Sequence, residues 1–238
     1  MDRSHDAPEP EADAVRARYT RRAPLDWRYQ RLNPAALLAS QERERAIARL
    51  FVAQGWRDLR QRRLLEVGCG SGDNLLEMLR LGFAPEQLAG IELLDERHAA
   101  ARSRLPAALA LIHGDALHAE VAGQSQDVVL QSTVFSSLLD EAFRRRLAER
   151  MWTWLKPGGA VLWYDFTIDN PRNPDVRGVP ASRLRELFPH GRITTRRLTL
   201  APPLARAAVL VHPSLYTALN VLPPLRTHLL AWIEKPTA

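Results

Sequence analysis

The chain has 238 residues, 46% of them hydrophobic, enough to bury one complete α/β core. Its formal charge of +6 rests almost entirely on arginine, with Lys156 and Lys235 the two lysines, and is spread along the chain without a stripe, so charge alone does not single out a nucleic-acid partner. One cysteine, Cys69, excludes an intramolecular disulfide, no apolar run approaches the ~20 residues of a membrane span, and the acidic, Pro/Ala-rich start is unlike a signal peptide; a cytoplasmic protein is the expectation.

Residues 1–15 mix acids, prolines and small residues without apolar periodicity and read as a disordered tail. Residues 16–60 follow as a strap and a helix. The strap carries Arg18-Tyr19-Thr20-Arg21-Arg22, Trp27 and Tyr29, and two readings stay open: a segment that folds over a cofactor, or a solvated strap with packed rings. From Asn33 to Trp56, Leu37, Leu38, Ile47, Leu50, Phe51 and Val52 recur at helical spacing behind an Asn33 cap and Pro34.

Residues 61–238 alternate short apolar runs with amphipathic stretches, the pattern of a doubly wound sheet with helices on both faces. Seven strands are predicted over 64–67, 88–93, 108–113, 127–131, 160–166, 192–200 and 228–234, the last antiparallel, with helices over 74–81, 95–104, 141–155 and 182–188. Lys156-Pro157-Gly158-Gly159 reads as the turn before strand five. Between strands six and seven, residues 201–225 form an apolar addition rich in Leu, Val and Pro; a roof over the acceptor, a dimer face, a membrane-facing patch and plain core packing all remain open.

The densest signal is Leu64-Leu65-Glu66-Val67-Gly68-Cys69-Gly70-Ser71-Gly72-Asp73-Asn74, an apolar strand entering a glycine turn that opens a helix. A dinucleotide loop, G-x-G-x-x-G, requires glycine where this chain has Asp73, so a dehydrogenase is disfavoured. The G-x-G-x-G spacing, with an acid two residues ahead of Gly68, resembles motif I of the class I S-adenosylmethionine-dependent methyltransferases. Gly90-Ile91-Glu92, His113-Gly114-Asp115-Ala116, Asp127–Ser132 and Leu155–Leu162 resemble that family's later motifs in the same order, so the likeness spans most of 64–234. It implies a Rossmann-like α/β fold and S-adenosyl-L-methionine held by Glu66, Gly68, Gly70, Gly72, Asn74, Glu92, Leu93, Asp115, Ala116 and Gln131. Glu92 would accept the ribose hydroxyls and Asp115 the adenine amine.

Asp165, ending an apolar strand beside the expected methyl, is the candidate general base or acceptor-positioning group, with a capping carboxylate as the alternative. The polar loop 167–179, with Asn170, Arg172, Asn173, Asp175 and Arg177, is placed to touch an acceptor bearing hydroxyls or phosphate. His113, Asp115 and His118 supply too few converging ligands for a metal, and none is expected. Gln131-Ser132-Thr133-Val134 stands where base-amine methyltransferases carry Asp/Asn-Pro-Pro-aromatic, so a small-molecule, sugar or lipid-linked acceptor, receiving the methyl on oxygen, is expected, with nucleic acid or protein as the runner-up and a catalytically silent cofactor-binding subunit as a third reading. Peripheral membrane contact is compatible with this, and oligomeric state is not encoded in any motif.

Overall fold

In the computed structural model, which describes residues 10–21, 27–170 and 173–237, seven strands form one sheet in the order β3-β2-β1-β4-β5-β7-β6. They are β1 (Leu64–Val67), β2 (Leu88–Glu92), β3 (Ala110–His113), β4 (Gln126–Ser132), β5 (Leu155–Phe166), β6 (Arg192–Leu200) and β7 (Arg226–Glu234). The first five run parallel, and β7 is antiparallel to both β5 and β6, as the sequence pattern predicts. Central strands of such a sheet are covered on both faces, and β1 and most of β5 are accordingly buried at every position past the bulge.

Strand alternation sorts the core into two layers. Leu65, Val67, Val161 and Trp163 face α5 (Glu141–Trp154) and α6 (Ala181–Leu187), whereas Leu64, Val128, Leu162 and Tyr164 face α2 (Pro34–Ala53), α3 (Asp73–Leu81) and α4 (Asp95–Arg104). Asn33 caps α2 as expected: its Oδ1 accepts from the backbone N–H of Ala35 at 3.0 Å and of Ala36 at 3.4 Å.

Several expectations need correction. Residues 10–15, read as disordered, begin a helix, α1 (Pro10–Thr20), whose Ala12, Val15 and Arg18 are buried; composition missed it because its order comes from docking on the distant loop after β4. Residues 1–9, Arg22 and Arg172 lie outside the described residues. Lys156–Gly159 is a bulge inside β5 rather than a turn before it: Leu155 pairs with Gln126, the register slips, and pairing resumes at Val128 with Ala160. A Cβ at Gly159 would stand 3.0 Å from the Asp127 carbonyl, so the strands could not approach so closely with a larger residue. β3 starts at Ala110 because the Leu109 N–H turns back to the Pro106 carbonyl, and β2 stops at Glu92.

The addition after β6 is a helical hairpin, α7 (Pro202–Val211) and α8 (Pro213–Leu219). It is tied to α2 by Glu42, whose Oε2 accepts from Tyr216 Oη at 3.0 Å and from the Thr199 N–H at 3.2 Å. Thr199 Oγ1 in turn meets Tyr164 Oη at 2.7 Å, and His228 stacks on Tyr164 with ring centroids 4.9 Å apart. Burial drives His228 down to about 3, so the ring sits neutral beneath the hairpin. Because β6 is parallel to β5, the hairpin leaves the sheet at the carboxyl edge, where β1, β2 and β4 also end.

Candidate active site

At that carboxyl edge a cleft of about 120 Å³ opens between the loops that follow β1, β2, β3 and β4. Gly68, directly after β1, forms its floor with φ +65°, and a Cβ there would lie 2.7 Å from Val134 Cγ2. The position therefore needs glycine for both its backbone angle and its space. The next turn is fastened from below: Glu92, buried at the end of β2, accepts from the Gly70 N–H at 2.7 Å through Oε2 and from the Leu94 N–H at 2.9 Å through Oε1. One carboxylate thus shapes the glycine turn and presents its remaining lone pairs to the cleft it lines.

Asp115, after β3, has a different balance. Its Oδ1 accepts from the Leu117 N–H at 2.9 Å, while Oδ2 is buried with no hydrogen-bond partner. A buried acceptor left unmade costs free energy unless something donates to it, and this one lines the cleft. Leu93 and Ala116 line the same space. Of the residues singled out in the sequence, Gly68, Glu92, Leu93, Asp115 and Ala116 are thereby brought together.

The others stand behind the wall. Glu66 is wholly buried, its Oε1 accepting from Asn74 Nδ2 at 2.5 Å, and burial pushes its carboxyl up to about 8. It pins the start of α3 to β1 as a protonated acid at neutral pH. Gly70 and Gly72 continue the turn, and neither they, Glu66, Asn74 nor Gln131 lines the cleft. Gln131 is fully buried and accepts from the Val134 N–H at 3.1 Å through Oε1.

Asp165, the candidate base, is also fully buried and outside the cleft lining. Its Oδ2 accepts from the Ser136 N–H at 3.1 Å and its Oδ1 from the Phe166 N–H at 2.9 Å, with burial raising the carboxyl to about 6 despite those bonds. In this geometry it anchors the loop after β4 from beneath, the capping role that the sequence left open. Loop 167–179 likewise holds itself together: Asp169 Oδ1 accepts from the Gly178 N–H at 2.7 Å and Asp175 pairs with Arg21 at 3.2 Å. His113 pairs with the Asp95 carboxylate at 2.7 Å.

The fourth wall comes partly from the strap, for which a cover is one of two open readings, and partly from the stretch that reads as a tail. Val15 and Tyr19 of α1 line the cleft, and the Arg97 guanidinium of α4 lies over the Tyr19 ring at 4.4 Å. The helix is held by a nearly buried ion pair, Arg18 to Glu11 at 2.6 Å, from which Arg18 also donates to the Ser137 carbonyl at 3.1 Å while Glu11 accepts from the Leu139 N–H at 2.7 Å. The aromatic and cationic composition of the strap carries the signal for Tyr19, whereas nothing local marks Val15.

These residues fit an adenosyl group: an unpartnered buried acceptor for an amine, a carboxylate at a strand end for a pair of hydroxyls, and a cradle at Gly68 that a Cβ would fill. The fold is shared with solved S-adenosylmethionine-dependent methyltransferases. Residues 64–159 match the family model described as a methyltransferase domain. Similar solved structures include an S-adenosylmethionine dependent methyltransferase from Mesorhizobium loti (15% identity, TM-score 0.57, 77% of this chain and 95% of that one). Another is a SAM dependent methyltransferase from Archaeoglobus fulgidus (13%, 0.54, 84% and 98%). A third is phosphoethanolamine N-methyltransferase 2 from Haemonchus contortus in complex with S-adenosyl-L-methionine (15%, 0.59, 90% and 61%). No curated protein sequence matches the chain.

Proposed function

We propose that this enzyme methylates a small-molecule, sugar or lipid-linked acceptor, on oxygen, at the open side of the cleft beyond Ser132 and Thr133. The observation that carries the cofactor half of the reading is Asp115 Oδ2, buried and unpartnered, on a residue that lines the same cleft as Glu92 and Gly68. S-adenosylmethionine supplies an electrophilic methyl on a sulfonium. The chain's residues then have three tasks: Asp115 and Glu92 hold the adenosine, the turn at Gly68 gives it room, and Val15, Tyr19, Phe143 and Leu147 keep water from the apolar side.

Transfer of a methyl group is an in-line displacement, and alignment of the two reacting atoms can lower such a barrier by several kcal/mol, on the order of 7–11 in the most favourable cases. The cleft lining fits that demand. Its carboxylates are those assigned to the cofactor, and Asp165 is sealed behind the Ser136 N–H, so the reading rests on positioning: the acceptor oxygen attacks the methyl carbon, the sulfur leaves as a neutral thioether, and a hydroxyl's proton passes to solvent at the open side. Ser132 and Thr133, the latter with φ 58° and its N–H donated to the Tyr164 carbonyl at 2.8 Å, form the rim where an acceptor would sit. Gln131–Val134 lacks the stacking aromatic and adjacent prolines with which a flipped base is gripped, which favours a non-nucleic-acid acceptor.

The test is to incubate the protein with methyl-labelled cofactor and a fractionated cell extract. Label entering the lipid, sugar or small-molecule fraction supports the reading; label confined to RNA or protein refutes it.

A further inference from the structure

Among the described residues, six of the ten exposed large hydrophobics, Leu204, Leu210, Val211, Leu215, Val221 and Leu222, lie on the α7–α8 hairpin and the turn after it. On α7, Ala205 and Ala208 face inward, while Pro203, Leu204, Ala207, Leu210 and Val211 point outward along one stripe. Leu210 is 87% exposed and Val211 77%. The turn after α8 adds Val221 at 67% and Leu222 at 52%. Across 201–225 the ionic side chains are limited to Arg206, with His212 and Tyr216 the other titratable groups. A helix that is apolar on its inner and outer faces alike belongs in a core or in lipid, and no core covers this one.

Beside that surface is a second cavity, of about 180 Å³, between α2, β6, β7 and α8. Arg45, Arg49, Arg196 and Arg226 line it, and Glu42 is its one carboxylate, already accepting from Tyr216 and Thr199. Val221 belongs to both features, lining this cavity while remaining exposed. Four guanidiniums next to an uncharged apolar ridge are complementary to a surface that is oily within and anionic at its face. A second copy of the chain would fit poorly, since a two-fold contact across the ridge would set arginine against arginine.

We propose that the α7–α8 hairpin docks the enzyme on an anionic lipid bilayer, with Leu210, Val211, Val221 and Leu222 entering the headgroup region and the neighbouring arginines engaging lipid phosphates. Since the hairpin leaves the sheet at the carboxyl edge, the bilayer lies on the side where the cleft opens. The lipid-linked option among the proposed acceptors rests on this placement; the docking itself does not depend on that reading.

The test is co-sedimentation with vesicles containing phosphatidylglycerol against vesicles of phosphatidylcholine alone. The anionic vesicles should retain the protein at least about tenfold better, with retention falling as salt rises. Leu210→Asp with Val211→Asp, both at exposed positions, should lower retention about tenfold with an unchanged unfolding midpoint, and Arg45→Glu with Arg49→Glu should abolish the preference for anionic lipid. No retention at low salt, or retention of either double variant on anionic vesicles equal to that of the wild type, overturns the proposal. So does a vesicle-free dimer that Leu210→Asp with Val211→Asp dissociates, because the ridge would then be a self-interface. Calorimetry of the same samples with S-adenosylmethionine separates the two readings: a protein that binds cofactor but no vesicle refutes docking alone.

Discussion

Asp115→Asn tests the cofactor site with little disturbance of the fold. Asparagine keeps an Oδ1 for the Leu117 N–H and replaces only Oδ2, the atom that has no partner within the protein. Where the adenine amine would donate, the variant offers an NH₂, so a donor faces a donor and the bond is replaced by a repulsive contact. Hydrogen bonds to a charged group contribute ~1.5–3 kcal/mol, and ~1.4 kcal/mol is one decade in affinity, which gives a dissociation constant for S-adenosylhomocysteine raised about 10- to 100-fold. Calorimetry reads this directly, alongside the unfolding midpoint of the ligand-free protein, which should stay put because the Leu117 bond survives. A cofactor analogue lacking the exocyclic amine closes the cycle and should bind wild type and variant alike. Wild-type affinity for S-adenosylhomocysteine in Asp115→Asn would refute the assignment of Oδ2.

Three further outcomes follow from the same geometry. Because burial raises Glu66 to about 8 from 4.5, the folded state keeps a proton that the unfolded chain releases across that window, so stability falls as pH rises from about 4.5 to about 8. Glu66→Gln removes the effect, which at ~1.4 kcal/mol per pKa unit reaches at most about 5 kcal/mol; its urea midpoint should overtake wild type between pH 5 and 8.5, and a constant gap would show Glu66 charged. Gly68→Ala forces a side chain onto φ +65° and against Val134, costing roughly 1–3 kcal/mol and weakening S-adenosylhomocysteine binding, as titration of the purified variant would report; unaltered affinity would mean the cofactor does not lie on this turn. Tyr216→Phe leaves Glu42 Oε2 with the Thr199 N–H alone and should lower stability by about 1–2 kcal/mol in urea unfolding while leaving cofactor affinity unchanged.

Local sequence carried the sheet because each parallel strand is an apolar run bounded by its own turn residues, and the Leu64–Asn74 segment specifies strand, turn and helix without help from elsewhere. The placement of Glu92 and Asp115 at the cleft was legible for the same reason: Glu92 ends β2, Asp115 lies two residues past β3, and such positions at the carboxyl edge of an α/β sheet converge. What escaped depends on partners far along the chain. α1 is ordered by Arg18 and Glu11 reaching residues 137 and 139, and its own periodicity is weak. Arg43, paired with Glu77 at 3.0 Å and lying over the Tyr164 ring at 5.3 Å, sits on a helix whose sequence there reads Gln-Glu-Arg-Glu-Arg, a solvated face to any local rule. Asp165 shares its sheet face with Trp163 and with Val67 of the cleft, but the loop after β4 closes over it through the Ser136 N–H, and the path of that loop is not written in the β5 sequence.

The burial of Asp165 beneath the loop after β4 bears on how the proposed methyl transfer would be accelerated. Two buried side chains, Gln131 and Asp165, hold the N–H groups of Val134 and Ser136, and the Arg18–Glu11 pair grips the Ser137 carbonyl and the Leu139 N–H from the other side. The loop 132–139 is therefore clamped between the sheet beneath and α1 above, with Ser132, Thr133, Val134 and Ser137 at the wall of the cleft. A wall fixed at four points can hold an acceptor atom in line with the methyl while supplying no proton chemistry of its own. Loosening the clamp at Asp165 should accordingly lower kcat more than it raises the KM for S-adenosylmethionine: Asp165→Asn keeps the acceptor for one N–H but turns an NH₂ toward the other. If that variant instead gave an unchanged loop, unchanged cofactor affinity and a rate restored by raising pH, Asp165 would be titrating in the reaction and the positioning account would be wrong.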